Sequence, residues 1–352
     1  MSAVTLMDIA KATGRSYPTV SRALNDHPRV SATTKAAILA AAERLGYAPN
    51  LMAKGLVQKR SRTLGLVATE LNNPVRSALI EALRDLAQER GYQLFVNGYR
   101  EETELADRIR AMVSRRVDGL IVGNLGGDIT ERSFWPRLRA AIESGLAVVV
   151  FSHGCGGQVD HVAIDYRKTA RQLTKHLIEE HGHRRICFAG TSPGTPREQG
   201  YVEAMQAAGL QDDVRILRLD DYRMGAARDS VAAILRQVPD LTAIVCHNDL
   251  TAIGIMAGMR EKGLRVPQDV AVVGLDDVEV ASFLQPTLTT GGIAPRKVAE
   301  AFMELLTCRF EQKEAMAARR LVLDLSLQFR ESCGCPRTIP YGLPTTENRP
   351  EE

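Results

Sequence analysis

No run of about 18 apolar residues occurs in the 352-residue chain, so no membrane span is expected. Residues Met1 to Asp8 have neither the basic start nor the long apolar stretch of a secretory leader, which points to a cytosolic protein. The six cysteines contain no C-x-x-C pair, which argues against a zinc module or a thioredoxin-like site. Cys187 and Cys246 lie in apolar runs and read as reduced core residues. Cys333-Gly334-Cys335 sets two thiols side by side, too few ligands for a metal on their own, so neither a metal nor a cofactor is expected. Enzyme signatures are missing too. There is no G-x-S-x-G, no G-x-x-x-x-G-K-[ST], and no G-x-G-x-x-G opening a helix after the first strand. His153, His161, His176, His181, His183 and His247 are scattered, and His181-Gly182-His183 ends a helix, where an imidazolium would favour the dipole. Catalysis is therefore not expected.

Overall composition, 45% hydrophobic and 25% charged, is that of ordinary globular protein, and the length suits two or three domains. The charge is uneven. Residues 1–60 hold nine Lys or Arg against three Asp or Glu, while the rest of the chain is slightly acidic. A basic head on such a body suits phosphate-backbone binding, although a solvated basic face would have the same composition.

The head reads as three short helices. Thr5 can cap Leu6–Ala12, whose Leu6, Ile9 and Ala10 fall on one face, and Thr13-Gly14 ends it. Ser16 can cap Tyr17–Leu24, with Pro18 in the first turn and Val20, Ala23 and Leu24 inward. Ser31 can cap Ala32–Leu45, closed by Gly46. This is a helix-turn-helix pattern whose second helix would enter the major groove. Arg22 could grip guanine with two hydrogen bonds and Tyr17 offers a hydroxyl and a ring, while Thr19 and Ser21 could reach phosphates. Periodicity alone fits a plain three-helix structural domain equally well.

From Thr63 onward apolar runs alternate with amphipathic stretches in two series, roughly 63–151 and 168–273. Strand–helix alternation implies parallel sheets covered on both faces, here two doubly wound subdomains with a cleft at the carboxyl ends of their strands. Arg197, Asn248 and Asp276 each follow a strand, and a guanidinium, an amide and a carboxylate together could bind the hydroxyls of a polyol. Asp249 and Asp277 read instead as loop braces.

Three segments of the head, Val4–Ala10, Ser16–Asn25 and Val30–Lys35, together with Leu45–Asn50, resemble the lactose-repressor (LacI/GalR) family of bacterial transcription regulators. The resemblance continues through roughly residues 62–332, strongest at Asp118–Ile121, His176–Ile186, Arg197, Gly200-Tyr201, Asn248-Asp249, Val266–Asp277 and Pro286–Thr290. It implies a helix-turn-helix head (1–49), a hinge helix and linker (50–61) and a periplasmic-binding-protein-like core (62–336). It also implies chain crossings near 160, 290 and 322, followed by a flexible tail (337–352). By the same resemblance Tyr17, Pro18 and Arg22 match base-reading positions, and Thr5, Ser16, Thr19, Ser21, Asn25 and Ser31 match phosphate-contacting or capping positions. Leu56 matches the leucine wedged into the minor groove, and small Ala53 would let two hinge helices approach. Arg15 departs from the small apolar turn residue usual there.

Arg197, Asn248 and Asp276 match effector-contacting positions. Asn73-Pro74-Val75-Arg76 lacks the aromatics often found there, and Ser152-His153 stands where an acidic residue often follows the strand; both weakly favour a sugar acid or phosphate, although Arg76 could equally face solvent. The implied protein is a cytoplasmic repressor acting as a homodimer on pseudo-palindromic double-stranded operator DNA. A small-molecule effector of carbohydrate or sugar-acid type would control it. The alternative is a ligand-binding module or α/β enzyme whose head serves another partner.

Overall fold

The computed structural model describes residues 4–47, 60–69, 71–123, 131–151, 159–311 and 317–336. The chain divides after Arg62 into two compact units. The first holds α1 (Leu6–Thr13), α2 (Tyr17–Leu24) and α3 (Ala32–Leu45). Thr5 and Asp8 cap α1 reciprocally, with the Thr5 amide donating to Asp8 Oδ2 at 2.9 Å. Ser16 accepts from the Thr19 amide and Ser31 from the Thr34 amide, which starts α2 and α3. Ile9, Val20, Ala23, Ile38 and Ala41 are buried together, and Leu6, Leu24, Val30, Leu45 and Tyr47 pack around them.

The second unit contains two parallel sheets. One has the order β11-β5-β4-β3-β1-β2, built from β1 (Thr63–Ala68), β2 (Gln93–Gly98), β3 (Gly119–Gly123), β4 (Ala147–Phe151), β5 (Asp160–Ile164) and β11 (Arg320–Leu323). Its central strands β1, β3 and β4 are apolar on both faces because both are covered. Leu66, Ile121 and Val149 face α4 (Pro74–Glu89) and α11 (Pro295–Glu311); Val67, Leu120, Val122 and Val148 face α5 (Leu105–Ser114) and α6 (Glu131–Glu143). The other sheet, β7-β6-β8-β9, comprises β6 (Ile186–Gly190), β7 (Arg215–Arg218), β8 (Ala243–Cys246) and β9 (Ala271–Val273). Here α7 (Tyr166–Glu179) and α8 (Pro196–Ala207) cover one face, and α9 (Met224–Gln237) and α10 (Asp249–Glu261) the other. Tyr201 of α8 is fully buried; its hydroxyl donates to the Ile186 carbonyl at 2.8 Å and accepts from the Arg215 amide at 3.0 Å, tying β6 to β7. Its neighbour Gly200 lets α8 press on α7, since a Cβ there would stand 2.1 Å from the Arg167 carbonyl oxygen.

The chain passes between the subdomains three times, at Ile164–Tyr166, at Gly292–Pro295, and between β11 and β12 (Ser326–Gln328), which pairs antiparallel with β10 (Thr290–Gly292). Differences from the sequence expectations have local causes. Helix α4 starts at Pro74, straight after Asn73, because Asn73 Oδ1 accepts from the Val75 amide at 3.0 Å and proline fits the first helical position. Strand β5 goes unpredicted because it opens with Asp160 and His161. Asp160 is nevertheless buried, held by Arg309 at 2.7 and 2.8 Å and by the Arg319 amide at 2.7 Å. At the end of α7, where an imidazolium would favour the dipole, burial first and then the neighbouring His181 lower the pKa of His183, which favours a neutral ring there. Cys187 and Cys246 are buried free thiols. Among the described residues no helix is long and apolar enough to cross a membrane.

Candidate ligand cleft and nucleic-acid interface

In the body, the carboxyl ends of both sheets open onto one cleft of about 880 Å³ including its mouth. The strand-end rule places its walls. The first subdomain contributes Asn73 and Arg76 after β1, Phe151 at the end of β4 and Ile164 at the end of β5. The second contributes Arg197 after β6, Tyr222 after β7, His247 and Asn248 after β8, and Asp276 after β9. All three residues expected from sequence, Arg197, Asn248 and Asp276, thus meet in the cleft.

Arg197 Nη2 lies 3.4 Å from Asp276 Oδ1, and its guanidinium carbon sits 3.4 Å above the centroid of the Tyr166 ring. That stacking fixes the plane of the guanidinium. Arg197 Nε is buried without a hydrogen-bond partner among the described residues, a donor set aside for something else. Burial pushes the Asp276 carboxyl up to about 6, against the opposing pull of Arg197 and then Arg76. Its backbone stands at φ 135°, a conformation rare for a side-chain-bearing residue, held by its amide donating to the Gly291 carbonyl at 2.8 Å. Burial also pushes the Tyr166 phenol up to about 12, so it stays a neutral hydroxyl.

Asn248 has two duties. Its Oδ1 accepts from the Thr251 amide at 2.8 Å and caps α10, so its NH₂ is what it can offer a ligand. Asp249 and Asp277 are braces: Asp249 accepts from Thr290 Oγ1 at 2.6 Å and the Val278 amide at 2.9 Å, and Asp277 from Arg330 at 2.7 Å. Burial, then the charge of nearby Asp276, pushes Asp249 up to about 7.

The structure decides between the two readings left open for Arg76. It does not face solvent; it is 5% exposed and lines the cleft. Sequence reasoning also missed the aromatic wall. Tyr166 opens α7, and Tyr222 stacks on His247 at 4.3 Å between ring centroids. Only the position of these residues just past strand ends could have pointed to them.

In the head, Tyr17, Pro18 and Arg22 are exposed on α2, and Arg22 pairs with no carboxylate among the described residues. Thr19 and Ser21 are half-buried beside them, while Arg15 is exposed in the preceding turn. Thr5, Ser16 and Ser31 are helix caps, and the exposed Asn25 donates through Nδ2 to the Ser21 carbonyl at 2.9 Å. Ala53 and Leu56, like Ser152, His153 and the tail from 337, lie outside the described residues.

A helix-turn-helix head and a two-lobed α/β body with a ligand cleft define a DNA-binding transcriptional regulator. Residues 5–50 match the model of bacterial regulatory proteins of the lacI family, and residues 174–333 match a periplasmic binding protein-like domain. The chain is 32% identical to the transcriptional regulator CelR of Thermobifida fusca, over 93% of this chain and 98% of that protein. It is 28% identical to catabolite control protein A of Priestia megaterium, over 94% and 99%. Its fold superposes with a TM-score of 0.84 on the lac repressor dimer bound to operator and the anti-inducer ONPF, at 25% identity over 94% of this chain and 99% of that one. The chain belongs to the lacI family.

Proposed function

We propose that the chain is a repressor whose affinity for a pseudo-palindromic operator is set by a small polar effector held between the two subdomains of its body. One observation carries this: Arg76 from one subdomain and Arg197 and Asp276 from the other meet in a single buried cleft. Two guanidiniums favour a ligand oxygen of negative charge, and Asp276 accepts from hydroxyls. Tyr222 and His247 offer a flat apolar wall to a sugar ring. A sugar acid combines these chemistries better than a neutral sugar. CelR, similar to this chain at 30% identity, has been solved as a cellobiose complex, which supports a carbohydrate-like effector here. A ligand gripping both subdomains favours the closed arrangement over the open one, and that difference is what shifts a population. We read the cleft as a binding site rather than a catalytic one, since its lining among the described residues includes no Ser, Cys or Lys nucleophile.

The DNA reader is α2, with Arg22, Tyr17 and Pro18 toward the bases. Thr19, Ser21 and Arg15 lie toward phosphates, and Thr5, Ser16, Asn25 and Ser31 fix the helix ends there. One such helix covers too little DNA for tight binding, so a homodimer reads two half-sites. Leu56 wedges into the minor groove between them, with Ala53 at the contact of the paired hinges. The test is a thermal-shift screen of neutral sugars against sugar acids, followed by gel shifts on the chain's own upstream DNA with the best hit. A stabilising sugar acid that changes the gel shift is the expected result. Stabilisation by neutral sugars alone would remove the acid, and a hit with no effect on DNA binding would remove the control.

A further inference from the structure

At the end of α7 opposite Tyr166, four side chains converge that the cleft does not use. His176 lies in the last turn of α7, and His181 follows just beyond it. Cys333 and Cys335 come from the end of the described chain, with Cys333 157 residues beyond His176. The two Nε2 atoms are 3.1 Å apart. Cys333 Sγ is 3.7 Å from His176 Nε2, and Cys335 Sγ is 3.4 Å from His176 Nε2 and 3.5 Å from His181 Nε2. All four donor atoms fall within 4.8 Å of one another. A tetrahedral zinc with ordinary Zn–S and Zn–N bonds separates its ligand atoms by roughly 3.3–3.8 Å. The four distances above fall close to that range.

We propose that His176, His181, Cys333 and Cys335 form a structural zinc site. Two soft thiolates and two imidazoles in tetrahedral array are the donor set that zinc takes, and four protein ligands leave no open position for catalysis. Each thiol gives up its proton as its sulfur binds the ion. The surroundings hold the ligands in place. The His176 ring stacks on Phe329 at 4.0 Å. Ser332 is buried; its hydroxyl donates to the Val272 carbonyl at 2.6 Å and accepts from the Thr289 amide at 2.8 Å, anchoring the turn that carries Cys333. Thr289 Oγ1 lies 3.0 Å from Cys333 Sγ, as an outer hydroxyl to a metal-bound thiolate would. Between the cysteines, Gly334 stands at φ 104°, and a Cβ there would sit 3.2 Å from His181 Nδ1. Only glycine suits both the turn and the approach.

The spacing of the histidines is that of known zinc sites, but C-x-C is tighter than the usual cysteine pair, which is why the two thiols viewed alone argue against a metal. Zinc here clips the end of the third crossing onto α7, whose first residue lines the ligand cleft.

The test uses the full-length protein purified under reducing conditions without chelator. One zinc per chain is expected by elemental mass spectrometry. Stripping it should lower the thermal midpoint by at least about 5 °C, and zinc should restore it. Cobalt(II) added to the stripped wild-type protein should give the visible bands of a tetrahedral ion and a near-ultraviolet thiolate band. Cys335→Ser and His181→Gln should each bring zinc content well below one per chain. The cobalt spectrum is read on wild-type protein, so it decides the matter even if the variants fold poorly. Reduced protein that carries no zinc and gives no tetrahedral cobalt spectrum would overturn the proposal and leave a thiol–imidazole hydrogen-bond network, with Cys333 donating to the Arg330 carbonyl at 3.2 Å. A Cys333–Cys335 disulfide in freshly isolated protein, or cobalt bands undiminished in both variants, would overturn it as well. Zinc bound with no change in thermal midpoint would overturn the structural role.

Discussion

At the scale of single residues, Asp276 joins the cleft's chemistry to its titration. Burial raises its carboxyl to about 6, above the ordinary 3.8. The protonated form is therefore favoured by folding: this contribution to stability is full below about pH 4 and is lost as the pH rises through about 6. An effector that donates hydroxyls needs the ionised form, so its affinity should run the other way, weakening as the pH falls through 6. Binding near pH 6 should release protons. Asp276→Asn keeps the shape, removes the charge and replaces one acceptor with a donor. We predict effector affinity lowered at least about tenfold with operator binding near wild type, since hydrogen bonds to charged groups are worth roughly 1.5–3 kcal/mol. Calorimetric titrations between pH 5 and 8 check both points, and the variant's affinity should be flat with pH where the wild type's is not. Wild-type affinity in the variant would place the effector's main contacts on Arg76 and Arg197.

Single elements carry two further predictions. On α2, Arg22→Ala should cost about 1–3 kcal/mol of specific operator binding and leave nonspecific binding mostly intact, because a two-bond grip on guanine is lost and few phosphate contacts are. Equal losses on operator and random DNA, measured by anisotropy at fixed salt, would reduce Arg22 to a phosphate contact. On α8, Gly200→Ala drives a Cβ into the Arg167 carbonyl, backbone against backbone, so the helices must part. A loss of about 3 kcal/mol is expected, at the upper end of overpacking costs, read as a lower denaturant midpoint with an unchanged slope. These elements also mark what is legible in sequence. The head reads out cleanly because its caps, glycines and apolar spacing are local signals, and Arg197, Asn248 and Asp276 follow from the strand-end rule. That Arg76 is buried and that the Cys–His cluster forms are not legible, because burying an arginine or gathering four ligands depends on contacts between distant segments. Strand β5 stays hidden for a similar reason: the arginine that neutralises its Asp160 lies 149 residues further on.

For the whole molecule, effector and operator act on one equilibrium, so whatever factor the effector imposes on operator affinity, the operator must impose on effector affinity. That reciprocity separates a switch from two independent binding sites on one chain. Leu56, proposed above as the minor-groove wedge and outside the described residues, gives the means to test it. An apolar wedge that unstacks a base step contributes only when operator is bound. Leu56→Ala should therefore weaken operator binding and reduce DNA bending, seen by fluorescence energy transfer between labelled DNA ends, yet leave effector affinity of the free protein unchanged. In the wild type, effector titrations with and without saturating operator should differ by the same factor that effector imposes on operator affinity. In the variant the two factors should still agree, because linkage holds whatever their size. If the free variant binds effector differently from the wild type, Leu56 touches the body's own equilibrium and is more than a wedge. If bending is unchanged, it is a linker residue, and the contact that couples cleft to DNA lies elsewhere in the head.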